Sequence, residues 1–184
     1  MRKVIVSEMV SIDGFIEAEN GGMDWFVQDA ELNAYAMELL ESVDTIIYGR
    51  TTYEMMASFW PYAPGDFAAR TNKLRKIIFS KNLKETPWGE WDNARPVSGD
   101  IAEEIAKLKQ QPGKDMVVYG SGSVVQQLSN LGLVDEYRLI VNPVILGNGK
   151  MLFKDVHARI ALKLVDAKIF SCGGVALTYL PTRV

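Results

Sequence analysis

The sequence predicts an α/β fold in which a doubly wound core is followed by an antiparallel C-terminal section. Short, continuous aliphatic runs recur along the chain, which is typical of strands buried on both faces of a parallel sheet. Helical patterns separate most of these runs, whereas the last three runs follow one another with little helix between them. The predicted strands cover residues 3–9, 45–48, 76–80, 115–119, 136–141, 162–170 and 175–180.

Three helices are predicted between the strands, and each has a recognisable start or end. They cover residues 29–43, 99–113 and 123–136. Asp29 stands where an N-cap residue would accept the first free N–H groups of its helix. Asp100 with a glutamate three positions later forms a variant of the capping box. The third helix is expected to end near Gly132.

The composition narrows the class of protein. A length of 184 residues suits one domain, residues 1–184, with a sizeable core. A net charge of −3 lacks the basic footprint of a nucleic-acid-binding protein, so any anion site must be local. No apolar run approaches the roughly 20 residues that span a bilayer, and the N-terminal segment reads as a first strand, not as a signal peptide. One cysteine and one histidine do not supply a zinc site. We therefore expect a cytoplasmic protein without a metal, a membrane anchor or a nucleic-acid partner.

Three of the predicted strands end in segments suited to binding anionic groups. In open α/β sheets, ligands bind beyond the carboxyl ends of the strands. Glycines there let backbone N–H groups approach a phosphate closely, and a helix N-terminus adds about half a positive charge. Three such ends together predict a ligand with several anionic groups. The residues concerned are Gly49, Arg50, Thr51 and Thr52, then Ser80 and Lys81, then Gly120, Ser121, Gly122, Ser123 and Val124.

The glycine turn at 120–123 does not match the common nucleotide motifs. A Rossmann fingerprint would need a third glycine where the chain has Val125, and an acid at the end of the next strand. The Gly-Lys-Ser/Thr of a Walker A loop is absent. The ribose must therefore be recognised elsewhere, and the two cations Arg50 and Lys81 suit a 2′-phosphate, which favours NADPH over NADH. The alternative is that these glycines form a plain turn and that the cations are solvated surface residues.

Five segments, taken together and in order, resemble the dihydrofolate reductase-like superfamily. They are SIDGFI, YGRTTYE, IIFSKNL, VVYGSGSVVQQL and VDEYRLIVNPVILGNGKMLF. The closer likeness is to stand-alone relatives of the reductase domain of riboflavin biosynthesis, the C-terminal half of a bifunctional deaminase-reductase. The resemblance covers about residues 3–180. It implies a three-layer fold with a mostly parallel, twisted sheet, antiparallel C-terminal strands and helices on both faces.

The resemblance also implies a cofactor and an assembly state. It implies NADPH with its pyrophosphate over the glycine turn and its adenosine side held by the Gly-Arg-x-Thr segment and by the end of the next strand. In this sequence those positions are Gly49, Arg50, Thr51, Thr52, Ser80 and Lys81. It further implies a homodimer.

The substrate side is less defined by the sequence. By resemblance, the loop after the first strand covers the nicotinamide, so Ser11 and Asp13 are candidates, and Gly147 lies near the active site. Asp24 and Trp25 are candidates for a substrate-facing pair, and Met56 and Trp60 could form a wall against a planar heterocycle. The candidate catalytic residues are Asp13, Asp24 and Trp25. Each also has an ordinary structural interpretation: a turn at Asp13, and core packing for the tryptophans and Met56.

The predicted function is an NADPH-dependent reductase of a pyrimidine- or pterin-like heterocycle, resembling 5-amino-6-(5-phosphoribosylamino)uracil reductase. Dihydrofolate reduction is an alternative, disfavoured because Ala30 stands where a pterin-facing acid would be. A non-catalytic NADPH-binding or regulatory protein is another, because the sequence shows no convincing proton donor. The zinc set of a deaminase, His-x-Glu with Pro-Cys-x-x-Cys, is absent. Reduction without deamination is therefore expected.

Overall fold

The computed structural model describes residues 1–182 and contains ten strands and five α-helices in that range. The strands are β1 (Val4–Ser11), β2 (Phe15–Ala18), β3 (Val43–Gly49), β4 (Arg75–Phe79), β5 (Ala94–Val97), β6 (Asp115–Tyr119), β7 (Glu136–Asn142), β8 (Gly149–Met151), β9 (Leu162–Ile169) and β10 (Val175–Pro181). The helices are α1 (Ala30–Ser42), α2 (Arg50–Phe59), α3 (Asp66–Lys73), α4 (Ile101–Gln110) and α5 (Gly122–Asn130). A 3-10 turn, Trp60–Tyr62, follows α2. No helix of the described part is long and apolar enough to cross a membrane.

Eight of the strands form one sheet in the order β5-β4-β3-β6-β1-β7-β10-β9. Neighbours from β5 to β7 are parallel, whereas β10 runs antiparallel to both β7 and β9. The predicted fold class, a mostly parallel sheet with antiparallel C-terminal strands and helices on both faces, is confirmed. The carboxyl ends of β3, β4, β5, β6, β1 and β7 therefore lie along one edge of the sheet.

Aliphatic runs form the central strands because both faces of the sheet are covered. Val4 and Val6 of β1 belong to a buried cluster that includes Val125 and Leu128 of α5. Ile5, between them, belongs to a different cluster that includes residues of α1. Successive side chains of a strand point to opposite faces, so each apolar residue of such a run has a layer to pack against.

The capping predictions are confirmed. Asp29 accepts a hydrogen bond from the N–H of Leu32 at 2.7 Å, and Asp100 accepts one from the N–H of Glu103 at 3.0 Å. Each carboxylate satisfies one of the first N–H groups of its helix, which have no intrahelical partner.

Sequence reasoning missed β2, β5, β8 and α3. Strand β5 contains Pro96 and pairs only with β4, at the edge of the sheet, where a missing N–H is tolerated. The glycine-rich segment after β7 leads to β8, which pairs with β2 in a separate two-stranded sheet. Strands this short carry too little periodicity to be recognised from sequence.

Candidate functional site

Two cavities meet at the edge of the sheet formed by the carboxyl ends of its parallel strands. One, here called the polar cavity, has a volume of about 720 Å³ and lies over the ends of β3, β4 and β5. The other, the apolar cavity, has a volume of about 560 Å³ and lies between β1, β6, α1 and α2. Thr52, Ser121 and Lys150 line both cavities. The two cavities therefore adjoin one another at these three residues.

The polar cavity brings together the three strand ends that the sequence singled out. The predicted residues that line it are Gly49, Arg50, Thr51, Thr52, Ser80, Lys81, Ser121, Ser123 and Val124. A fourth strand end, Ser98 to Ile101 after β5, completes the wall. Sequence reasoning missed that end because it missed β5.

The glycine turn is braced against the junction of β3 and α2. Gly120 and Ser121 have left-handed backbone angles, with φ of 59° and 63°. A Cβ on Gly120 would lie 2.8 Å from the Cγ2 of Thr52, so no larger residue fits there without a shift. The Ser121 hydroxyl accepts a hydrogen bond from the N–H of Gly49 at 2.8 Å. Gly120 lines the apolar cavity, whereas Gly122, the first residue of α5, is buried and lines neither cavity.

Three cations surround the polar cavity. Arg50 is half-exposed and its Nε lies 2.7 Å from Oε1 of Glu54, one helical turn on. Lys81 is exposed. Lys150 comes from β8, and its Nζ lies 3.6 Å from Oε2 of Glu17. Sequence reasoning missed Lys150. The available signal was its position directly after the Gly-Asn-Gly turn. These side chains, with the free N–H groups at the start of α5, could hold a ligand with several phosphates.

The apolar cavity is walled mainly by methionine, aromatic and aliphatic side chains. Of the predicted substrate residues, Met56 and Trp60 line it. The two are in contact, since the indole Nε1 of Trp60 lies 3.0 Å from the sulfur of Met56. Such a wall suits the flat face of a heterocycle.

Unpartnered polar atoms are concentrated at the apolar cavity. In the described part of the chain, five buried side-chain oxygens have no hydrogen-bond partner. Four of the five belong to residues that line this cavity, namely Glu8, Tyr35, Thr71 and Tyr119. Buried polar atoms are nearly always paired in native structures, so this clustering indicates groups that bond to a ligand or to ordered water.

Glu8 is the most unusual of these residues, and sequence reasoning missed it. It lies on β1 with 5% of its surface exposed, next to the last β1–β6 pair, Ser7 with Tyr119. Its Oε2 accepts a hydrogen bond from the N–H of Gly120 at 3.1 Å, and its Oε1 has no partner. Burial raises the pKa of the Glu8 carboxyl well above its usual range, although the Gly120 N–H and the charge of Lys150 oppose this. The available signal was a glutamate inside an otherwise apolar buried run.

Ser11, Asp13 and Gly147 are brought together by the fold, but outside both cavities. The Asp13 carboxylate accepts hydrogen bonds from the Ser11 hydroxyl at 2.7 Å, from the N–H of Leu146 at 3.1 Å and from that of Gly147 at 2.7 Å. These bonds, that of Ser11 above all, lower the pKa of Asp13 to about 2. Asp13 therefore stays ionised at neutral pH and fastens the loop after β1 to the loop after β7.

Asp24 and Trp25 also lie outside both cavities, at the border of the apolar one. Their neighbours Met23 and Phe26 line that cavity. The indole of Trp25 donates to the carbonyl of Gly22 at 3.1 Å and packs edge-on against Phe26 at 4.4 Å between ring centroids.

Comparison with known proteins places the chain in a family. The sequence model of the RibD C-terminal domain matches residues 2–176. The uncharacterized protein YyaP of Bacillus subtilis is 41% identical over 182 residues, which cover 97% of this chain and 94% of YyaP.

Solved structures share the fold. A putative riboflavin biosynthesis protein from Shewanella sp. PV-4 superposes with a TM-score of 0.83 at 25% identity, covering 98% of this chain and 99% of that one. A diaminohydroxyphosphoribosylaminopyrimidine deaminase/5-amino-6-(5-phosphoribosylamino)uracil reductase from Thermotoga maritima gives 0.73 at 15% identity, covering 98% of this chain and 57% of that one. Dihydrofolate reductase from Enterococcus faecalis, complexed with NADP(H), gives 0.67 at 15% identity, covering 98% and 97%.

Proposed function

Since the chain belongs to the RibD C-terminal domain family, we propose that it is an NADPH-dependent reductase of a heterocyclic substrate, with residues 1–184 acting as one domain. The observation that carries the proposal is that the two cavities adjoin one another at Thr52 and Ser121. A reductase needs a site for a polyanionic dinucleotide that opens directly onto a drier site for the acceptor. The polar and apolar cavities meet both requirements.

The residues of the polar cavity fit NADPH. The Gly120–Gly122 turn and the start of α5 would hold its pyrophosphate, helped by Lys150. Arg50 and Lys81 would hold the 2′-phosphate of NADPH, because two cations can neutralise its negative charges. The 2′-hydroxyl of NADH has no charge for them to neutralise. Thr51, Thr52 and Ser80, with Ser123, supply hydroxyl groups along the wall. A Cβ on Gly120 would meet Thr52, so glycine at this position lets the turn lie against the start of α2. The bound cofactor would supply hydride.

The substrate would lie in the apolar cavity, against Met56 and Trp60. The family resemblance favours a compound of the riboflavin-pathway type, a substituted pyrimidine. Ala30, which stands where a pterin-facing acid would be, is exposed and lines neither cavity. Asp24 and Trp25 stay predictions as substrate-facing residues.

Titration of the protein with NADPH and, separately, with NADH tests the cofactor assignment. Tryptophan or nicotinamide fluorescence reports binding without any substrate. We expect micromolar binding of NADPH and clear discrimination against NADH. Binding of neither nucleotide would refute the proposal. NADPH binding without oxidation across a panel of heterocycles would instead favour a non-catalytic, regulatory protein.

We also propose that the protein forms a homodimer through strand β9. All eight residues of this edge strand are exposed, including Leu164, Val165 and Ile169. Long apolar edge strands are open to pairing with another chain, and two-fold dimers are the commonest assemblies. Light scattering coupled to gel filtration should give twice the chain mass, and Val165→Lys should give a monomer. A wild-type monomer would contradict the proposal. A cytoplasmic location stays a prediction.

A further inference from the structure

We infer that the apolar cavity takes an uncharged acceptor with no phosphate group, and that Glu8 in its acid form donates a hydrogen bond to that acceptor. The term "acceptor" rests on the proposed function, whereas the chemistry of the cavity wall does not. The inference narrows the substrate class: a phosphoribosylated pyrimidine would be excluded, and a neutral ring compound with carbonyl or imine groups would fit.

The charges on the cavity wall oppose a phosphate. Among the described residues, the carboxyl and ammonium groups that line the cavity belong to Glu8, Glu17 and Lys150. Lys150 lies on the wall shared with the polar cavity and is close to Glu17, at 3.6 Å between Nζ and Oε2. A phosphate monoester in the apolar cavity would thus face two carboxyl groups and one ammonium that already has a partner. Burying a charge without its own counter-charge is strongly unfavourable.

Two other possible phosphate partners do not line the apolar cavity. Ser123 and Val124 at the start of α5 line the polar cavity and not the apolar one. Arg138 on β7 lies beside Tyr35 and Tyr119 of the cavity wall. It is not itself among the lining residues, and its Nε donates to Oε1 of Glu136 at 2.6 Å, so its charge already has a partner. The positive potential of the site is therefore concentrated at the polar cavity.

The unpartnered groups of the apolar cavity are suited to a neutral ligand. Tyr35, Thr71 and Tyr119 each present a buried hydroxyl without a hydrogen-bond partner. Burial raises the pKa of Tyr119, so its hydroxyl stays neutral. Neutral hydroxyls donate to carbonyl oxygens and ring nitrogens, and they accept from ring N–H groups. A compact heterocycle offers all of these, and the volume of about 560 Å³ is typical of a small-molecule site.

Glu8 completes this wall as an acid. Its Oε2 is occupied by the N–H of Gly120, so Oε1 is the oxygen left for a ligand. The groups that act on it are the Gly120 N–H and Tyr119 from β6, and Lys150 from β8. Burial outweighs the two favourable contacts and raises the pKa of the carboxyl well above its usual range, which favours the acid form. On the proposed function, the acceptor would gain hydride at one atom from the reduced nicotinamide, which is oxidised, and a proton at the other atom from Glu8. Solvent would then return a proton to the carboxylate.

The binding test uses matched pairs of heterocycles with and without a phosphate, such as riboflavin and riboflavin 5′-phosphate, or uridine and uridine 5′-phosphate. Binding is followed by tryptophan fluorescence and by protein NMR, with no cofactor present. We expect at least one uncharged member to bind about tenfold or more tightly than its phosphorylated partner, a difference of about 1.4 kcal/mol. Equal or tighter binding of the phosphorylated members would overturn the inference, as would failure of every uncharged member to bind.

The state of Glu8 is tested separately by infrared difference spectroscopy. The wild type at pH 7 should show a carboxylic-acid carbonyl band, and Glu8→Gln should remove this band. Glu38 is an exposed residue of α1 that lies outside both cavities, so the control variant Glu38→Gln should leave the band unchanged. Affinity for the uncharged ligand should fall at high pH in the wild type and stay level in Glu8→Gln, whose amide keeps a donor. An ionised Glu8 at pH 7 would overturn the inference. The NADPH titration is independent of both tests, so failure of the cofactor assignment would be seen apart from failure here.

Discussion

Replacement of Arg50 by alanine should weaken NADPH binding much more than NADH binding. A charge-assisted hydrogen bond contributes about 1.5–3 kcal/mol, and the guanidinium can make two such bonds to a phosphate. The Arg50 side chain is half-exposed and its Nε already contacts Glu54 at 2.7 Å, so a net contribution near the lower end is expected. A loss of about 1.5–2.5 kcal/mol corresponds to about 10- to 60-fold in affinity for NADPH.

Glu54 provides a second, opposite perturbation of the same contact. The exposed Arg50–Glu54 pair is worth about 0.3–0.5 kcal/mol, so Glu54→Gln should free the guanidinium and tighten NADPH binding about twofold. Arg75→Ala is the matched control, because Arg75 is an exposed arginine at the opposite end of β4 and lines neither cavity.

Fluorescence titration of the variants with both nucleotides measures these effects at one salt concentration. NADH lacks the 2′-phosphate, so its affinity should change less than about threefold in Arg50→Ala. Equal losses for NADPH and NADH would refute the assignment of Arg50 to the 2′-phosphate. Equal losses in Arg75→Ala would show that the effect is a general one of net charge.

Three further predictions concern the turn, a buried lysine and the loop after β1. Gly120→Ala should destabilise the protein by about 1–2 kcal/mol and weaken NADPH binding, because it adds both left-handed strain and a contact with Thr52. Gly132 has a similar φ of 64° but open space where a Cβ would lie, so Gly132→Ala adds backbone strain without a contact. Denaturant unfolding of both variants measures the two contributions. Equal losses in the free energy of unfolding would contradict the packing argument. Burial lowers the pKa of Lys76 from 10.5 to about 7. Between pH 7 and pH 10.5, the unfolded chain therefore binds a proton that the folded chain does not, and the free energy of unfolding should rise with pH. The rise from pH 7 to pH 9 should be about 2 kcal/mol and vanish in Lys76→Met, whereas a flat wild-type profile would refute it. Asp13→Asn should loosen the loop after β7, and faster hydrogen exchange at Leu146 and Gly147 would report this loosening. The same loosening should occur in the wild type as pH falls from 3.8 towards 2, the range in which Asp13 takes up its proton. Unchanged exchange would show that Asp13 does not hold this loop.

The polar half of the site was predictable from sequence for a simple physical reason. Each of its strand ends is a local feature: an aliphatic run, then glycine or serine, then a basic residue or a helix start. Parallel strands place all such ends on one edge, so correct strand assignments brought Arg50, Lys81 and Ser121 together. The same reasoning could not include the end of β5, whose strand contains a proline and only four residues.

The sequence by itself determined the fold class, the family and the local chemistry of the strand ends, because these depend on periodicity and on neighbouring residues. The tertiary structure decided the apolar half. Burial raises the pKa of Glu8, and the N–H of Gly120, 112 residues away in the sequence, partly opposes this shift. The pKa of Asp13 is lowered first by the nearby Ser11 hydroxyl and then by N–H groups 133 and 134 residues distant. Lys150 reaches both cavities through the pairing of β8 with β2. The protonation state of a carboxyl is set by burial and by the groups around it, and those are fixed only when distant segments meet.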